Sequence, residues 1–148
     1  MSDKREQILV RLLAVCRTVD GVAVCARNEQ VAGDWNFPAV IVLDADEEAD
    51  EAAFGRGRPA RSPNLVTMTP ELYVILGETP EAVGSELNRL RARLIKAVLT
   101  DAELGSLVGS NGEIRYQACA TGLARGRQML GEMGLVFSFT YVLRPEDL

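Results

Sequence analysis

The chain contains no histidine. That removes the side chain most often used as a general base near neutral pH, and the commonest metal ligand. Cysteine is scarce: Cys16, Cys25 and Cys119 are the only three. Their separations exclude paired-cysteine zinc spacing, and an odd number does not make a disulfide framework. They read as reduced, small, buried residues. Aromatic residues are only 5% of the chain, so aliphatic side chains must fill most of any core. No apolar run approaches the roughly 20 residues needed to cross a bilayer. The opening MSDKREQ is charged and has no signal-peptide core, so the expected location is the cytoplasm, unless the protein is carried out inside an assembly. Positive charge is not in excess either. The net charge of −5 argues against general affinity for nucleic acid, which needs a basic surface, but leaves room for a local basic patch.

What is present fits one domain over residues 1–148, long enough to bury an ordinary core. Residues 3–18 read as a helix, with Ile8, Leu9, Leu12, Leu13 and Cys16 at helical spacing. Asp3 followed by Glu6 resembles a capping box, and Asp20-Gly21 supplies the stop. VAVCA (22–26) is a short strand. PAVIVL (38–43) is unbroken and rich in β-branched residues, so it reads as a strand buried on both faces. Residues 65–76 alternate and form another strand, placed at an edge or bulged where Pro70 cannot donate to a ladder. Thr79-Pro80 is a helix start, and Val83, Leu87, Leu90, Leu94 and Val98 carry one apolar stripe to about residue 100. Residues 100–104 add at most a short turn, and 105–112 are loop. EIRYQACATGL (113–123) and LVFSFTYVL (135–143) are antiparallel strands joined by a Gly-containing polar connection. The predicted order is α-β-β-β-α-β-β. The predicted class is α+β, a mostly antiparallel sheet with two helices packed on it.

One stretch resists this scheme. Residues 44–63, DADEEADEAAFGRGRPARSP, pass from an acidic block to a Gly-Pro-Arg block between two strands. Loops beyond about 12–15 residues are usually functional or disordered. For the carboxylates Asp44, Asp46, Glu47, Glu48, Asp50 and Glu51 the ordinary reading is a solvated run, and the functional one is docking onto a basic surface. For Arg56, Arg58 and Arg61 the choices are a solvated loop or a contact with phosphate or an acidic surface, since guanidinium forks match both. Arg89, Arg93 and Lys96 form a basic stripe on the second helix. It is read as a plain solvent face, or as a face toward DNA or an acidic neighbour.

Catalytic patterns do not appear. The acidic block lacks the spaced Asp pattern and glycine of a calcium loop. Gly55-Arg56-Gly57-Arg58 is not a phosphate-binding P-loop. No GxSxG elbow exists, and Cys119 has no candidate base beside it. No catalytic, metal or cofactor-binding residue is nominated, and a non-enzymatic protein is expected.

The element order, the charged stretch after PAVIVL, PELYVILGETPE, LIKAVLTDAELGSL, GEIRYQA and the ending GLVFSFTYVLRP together resemble the tail terminator proteins of long-tailed bacteriophages. These are also called minor tail protein U-like or tail completion proteins, and related gene transfer agents carry similar ones. The resemblance spans nearly the whole chain and rests on element order and loose patterns, with no sharp motif. It implies a virion structural protein that forms a ring, typically a hexamer. The ring would cap the tail tube, end its polymerisation and give the surface that joins the head. The implied partners are further copies of the chain, the tail tube protein, a head-completion or stopper protein, and double-stranded DNA passing through the lumen without sequence specificity. The implied location is host cytoplasm during assembly, then the tail-neck junction of the virion. On this reading residues 44–61 named above are a docking loop, and Arg89, Arg93 and Lys96 a lumen or inter-subunit face. Two other readings stand beside it: another neck or head-closure component, and a monomeric α+β enzyme or ligand-binding domain.

Overall fold

The structure, a computed structural model, describes residues 3–30, 36–50, 57–124 and 129–148. In chain order its elements are α1 (Lys4–Arg17), β1 (Val24–Arg27), β2 (Ala39–Leu43), β3 (Glu47–Asp50), β4 (Asn64–Met68), β5 (Glu71–Glu78), α2 (Val83–Leu99), α3 (Ala102–Val108), β6 (Glu113–Ala124) and β7 (Met129–Leu143). A 3-10 turn, Pro145–Asp147, follows. The α+β class is as expected: the seven strands form one sheet, antiparallel except for the β1–β2 pair. The predicted order is not. It becomes α-β-β-β-β-β-α-α-β-β, with three helices among the described residues rather than two.

The strand count rises because the predicted strand over 65–76 is divided into β4 and β5, and because part of the predicted loop, residues 47–50, is strand. β4 and β5 are one line of chain along β7. Their register runs unshifted from Asn64↔Leu143 to Met68↔Phe139, and resumes at Glu71↔Val136. Thr69 and Pro70 interrupt it, and Pro70 still accepts from the Phe137 N–H at 3.1 Å. On the other side, β2 faces β5 and β3 faces β4. Residues 44–46 of that line lie opposite only 69–70, which is a one-residue bulge. Ala45 takes φ 56° there, and the Thr69 N–H donates to the Asp46 carbonyl at 3.0 Å. The bulge falls where proline has no N–H to offer, so the expectation for Pro70 is met. The expectation of a loop over residues 44–63 is corrected. Residues 47–50 are strand, because β4 holds them by main-chain pairing that is indifferent to their charge, and the connection spans 51–63.

The core lies between the helices and one sheet face. Val83, Leu87, Leu90, Leu94 and Val98 are all buried, as the stripe predicts, in one core cluster with Leu135, Phe137, Phe139 and Tyr141 of β7. Ala39, Val40, Ile41 and Val42 are buried on both faces of β2, also as read. Asp3 caps α1 by accepting from the Arg5 N–H at 3.0 Å. α2 begins later than expected. Thr79 acts through its carbonyl, which accepts from Ala82 and Val83, and not through a hydroxyl cap.

Two further corrections concern glycine and asparagine-rich sequence read as loop. α3 continues to Val108, because Asp101 caps it through the Leu104 N–H and Leu104 and Val108 are buried. β7 begins at Met129, so part of the predicted connection is strand. Gly131 belongs inside that strand. A Cβ there would stand 2.6 Å from Val83 Cγ2 and 2.8 Å from Leu87 Cδ1, so only glycine lets α2 settle onto β7.

Candidate assembly surfaces

The predicted contact residues fall at different places on the described structure. Asp44 does not face outward. It takes a paired fork from Arg27, Nε to Oδ1 and Nη2 to Oδ2, both at 2.8 Å, and its backbone N–H donates to Asn28 Oδ1. Arg27 also holds Glu6, through Nη1 at 2.9 Å and Nη2 at 2.8 Å. One guanidinium thus ties α1, β1 and the β2–β3 bulge together. The Arg27 hydrogen bonds hold both carboxyls below their ordinary ranges, against the opposing pull of burial. In turn they raise the Arg27 pKa.

The other acidic residues divide. Asp46 is exposed and contributes its carbonyl to the bulge. Glu47 accepts from the Tyr141 hydroxyl, while Glu48 and Asp50 are exposed on β3. Desolvation, and then that contact with Glu47, raise the Tyr141 pKa. Arg58 and Arg61 are exposed, and the nominated Glu51 and Arg56 lie outside the described residues. The two halves of the predicted docking loop are therefore different things: a paired, edge-strand acidic half and a basic half in the 51–63 connection.

The basic stripe on α2 is also differentiated. Arg89 pairs with Glu86 at 2.8 Å, Arg93 donates to the Asp20 carbonyl at 3.2 Å, and Lys96 is exposed. Arg89 and Arg93 line a cleft of about 260 Å³ with Gly21, Phe37 and Leu76. That is below the 300–1,000 Å³ usual for small-molecule sites.

Three features escaped the sequence reading. Arg91 lies over the Tyr116 ring, 5.3 Å from its centroid, and its Nη2 reaches the Tyr116 hydroxyl at 3.3 Å. Reading the α2 basic residues as one stripe hid this, since Arg91 falls off that stripe. Arg11 grips Asp101 by Nε at 2.9 Å and Nη2 at 2.6 Å, joining α1 to the α3 cap and holding the Asp101 carboxyl low. The third is the sheet face away from the core, a shallow polar concavity. There Thr67 and Thr140 hydroxyls meet at 2.9 Å and Gln117 Nε2 donates to Ser138 Oγ at 2.8 Å.

β6 also departs from its expected alternation. A bulge between Tyr116 and Ala118 reverses its faces, so Ile114 and Tyr116 pack on the core while Ala118 and Ala120 do not. Cys119 is exposed there, correcting the reading of all three cysteines as buried. Cys16 is buried and Cys25 half-buried. A hydrogen bond to Cys25, with burial, raises the Cys16 pKa, and the same contact lowers that of Cys25.

Among the described residues no cluster of acidic or cysteine side chains is arranged to hold a metal, and no helix is long and apolar enough to cross a membrane. The sequence matches no protein-family model and no curated protein.

Proposed function

We propose that this chain is a tail terminator of a long-tailed bacteriophage or a related gene transfer agent. Copies join head to tail into a ring, expected to be a hexamer. The ring caps the tail tube, ends its growth, and offers the head-completion protein its docking surface, while double-stranded DNA passes through the lumen. The reading rests first on the sequence resemblance. The observation that carries it at the structural level is the asymmetry of the sheet. One side of the sheet ends in β1 and in the carboxylates of β3, the other in the uncharged stretch of β6. A ring needs two different, mutually complementary faces on each subunit, and unlike edges are of that kind.

The test is assembly. The purified chain, alone and mixed with tubes of the tail tube protein, is measured by light scattering and imaged by electron microscopy. Rings, or rings on tube ends with tubes of limited length, are expected. A chain that neither self-associates nor binds tubes at any concentration or salt would overturn the proposal.

A further inference from the structure

One side of the sheet ends in β6 and the other in β1 and β3, and these edges are guarded differently. On β1, Arg17 already donates to the Cys25 carbonyl at 3.4 Å. On β3, three of four residues are carboxylates and all four are exposed. Such charge on an edge prevents pairing with an identical edge. β6 is the opposite case. Among the described residues it pairs with β7 alone, so its outer row of N–H and C=O groups has no strand beside it. Past the bulge, residues 117–123 are exposed. From Tyr116 to Leu123 there is neither a charged residue nor a proline. An unguarded edge of this length is a template for another strand.

The surroundings of β6 say which strand fits. Arg91 stands over Tyr116, and Arg115 leads into the uncharged run, balanced by Glu113 at 2.5 Å. The Arg91 guanidinium therefore borders the bare edge, Arg115 being already paired with Glu113, and carboxylates lie on β3 at the far side. We infer that the outer edge of β6, over residues 116–123, receives the β3 edge of a second copy of this chain. Main-chain hydrogen bonds would join the two sheets, and a β3 carboxylate facing Arg91 would set direction and register. Pairing β6 with another β6 would bring no such complement. The inference rests on the head-to-tail part of the proposed function, and not on what the ring caps.

The test is charge reversal across the two edges. Ala118→Glu and Thr121→Glu place one carboxylate on each face of β6, at exposed positions. The double variant should lose assembly and run as a monomer, with an unchanged circular dichroism spectrum and melting temperature. Adding Glu48→Lys and Ala49→Lys, at exposed β3 positions that leave the Glu47–Tyr141 contact intact, should restore assembly. Hydrogen exchange of the amides in residues 116–123 should slow in the wild-type assembly and not in the monomeric variant. Assembly that survives in A118E/T121E with fast-exchanging β6 amides would overturn the edge inference and leave a ring standing. Loss without rescue by the lysines would overturn the assignment to β3. A wild-type chain that never associates would overturn the inference together with the ring. Head-to-tail assemblies that ignore tail tubes would remove the tail function and leave the edge contact intact.

Discussion

Arg27 ties Glu6 of α1 to Asp44 beside the bulge. It is 24% exposed, as is Asp44, and it makes four contacts of 2.8–2.9 Å to carboxylates on two elements. Hydrogen bonds to charged groups contribute roughly 1.5–3 kcal/mol when sheltered, while exposed pairs contribute about 0–1 kcal/mol. Arg27→Ala is therefore expected to lower stability by about 2 kcal/mol and Glu6→Gln, at a half-exposed site, by under about 1 kcal/mol, measured by urea unfolding. The same pairs set the acid response. Asp44, Glu6 and Asp101 have folded pKa values below their unfolded ones, so the unfolded chain binds more protons in acid. Their stabilisation is full above about pH 5 and is lost as pH falls below about 4, through the folded values. The urea midpoint should drop over that window, and Arg27→Ala should make the drop shallower. Tyrosine sets the alkaline limit. Burial, with Glu132 beside it, pushes Tyr73 up to about 12. Unfolded tyrosine ionises near pH 10, so stability should decline as pH rises beyond about 10.

At the scale of elements, α2 and β7 fit because residue 131 has no side chain. Gly131→Val should cost about 1–3 kcal/mol, since the added carbons meet Val83 and Leu87 on a packed helix. Leu94→Ala, at a fully buried position, should cost about 2–5 kcal/mol by the same urea assay. α1, α2 and the β7 core face were legible because their apolar residues repeat at 3.6 and 2.0 spacing, and tertiary packing uses those repeats directly. What was illegible had a local cause in each case. Glu47 and Glu48 carry no strand propensity, so only pairing with β4 reveals β3. Gly131 looked like a turn residue, when its role is close approach of a helix. The bulge at Gln117 reverses β6 without changing its composition, so a strict alternation gave the wrong face from Ala118 onward. For the candidate surfaces, sequence located the acidic and basic blocks correctly as exposed charge in part. It could not foresee that Asp44 is taken by Arg27, because those residues meet only across strands.

For the whole molecule, the single sheet with helices packed against one face leaves a polar face and unlike edges available for other chains. Arg58 and Arg61 are exposed in the described part of the chain between β3 and β4. Replacing Arg56, Arg58 and Arg61 together by Ala should impair ring formation or tail joining while leaving the melting temperature unchanged. Normal joining by that variant would remove the docking role of the connection. The central claim is that this chain is a ring-forming cap of a tail tube. The measurement that reaches it most directly is the particle mass of the chain, by native mass spectrometry, with and without tubes of the tail tube protein. Closed assemblies of one fixed copy number, expected to be six, bound at tube ends, are the expected result. A monomer of 16.1 kDa in both conditions would contradict the claim.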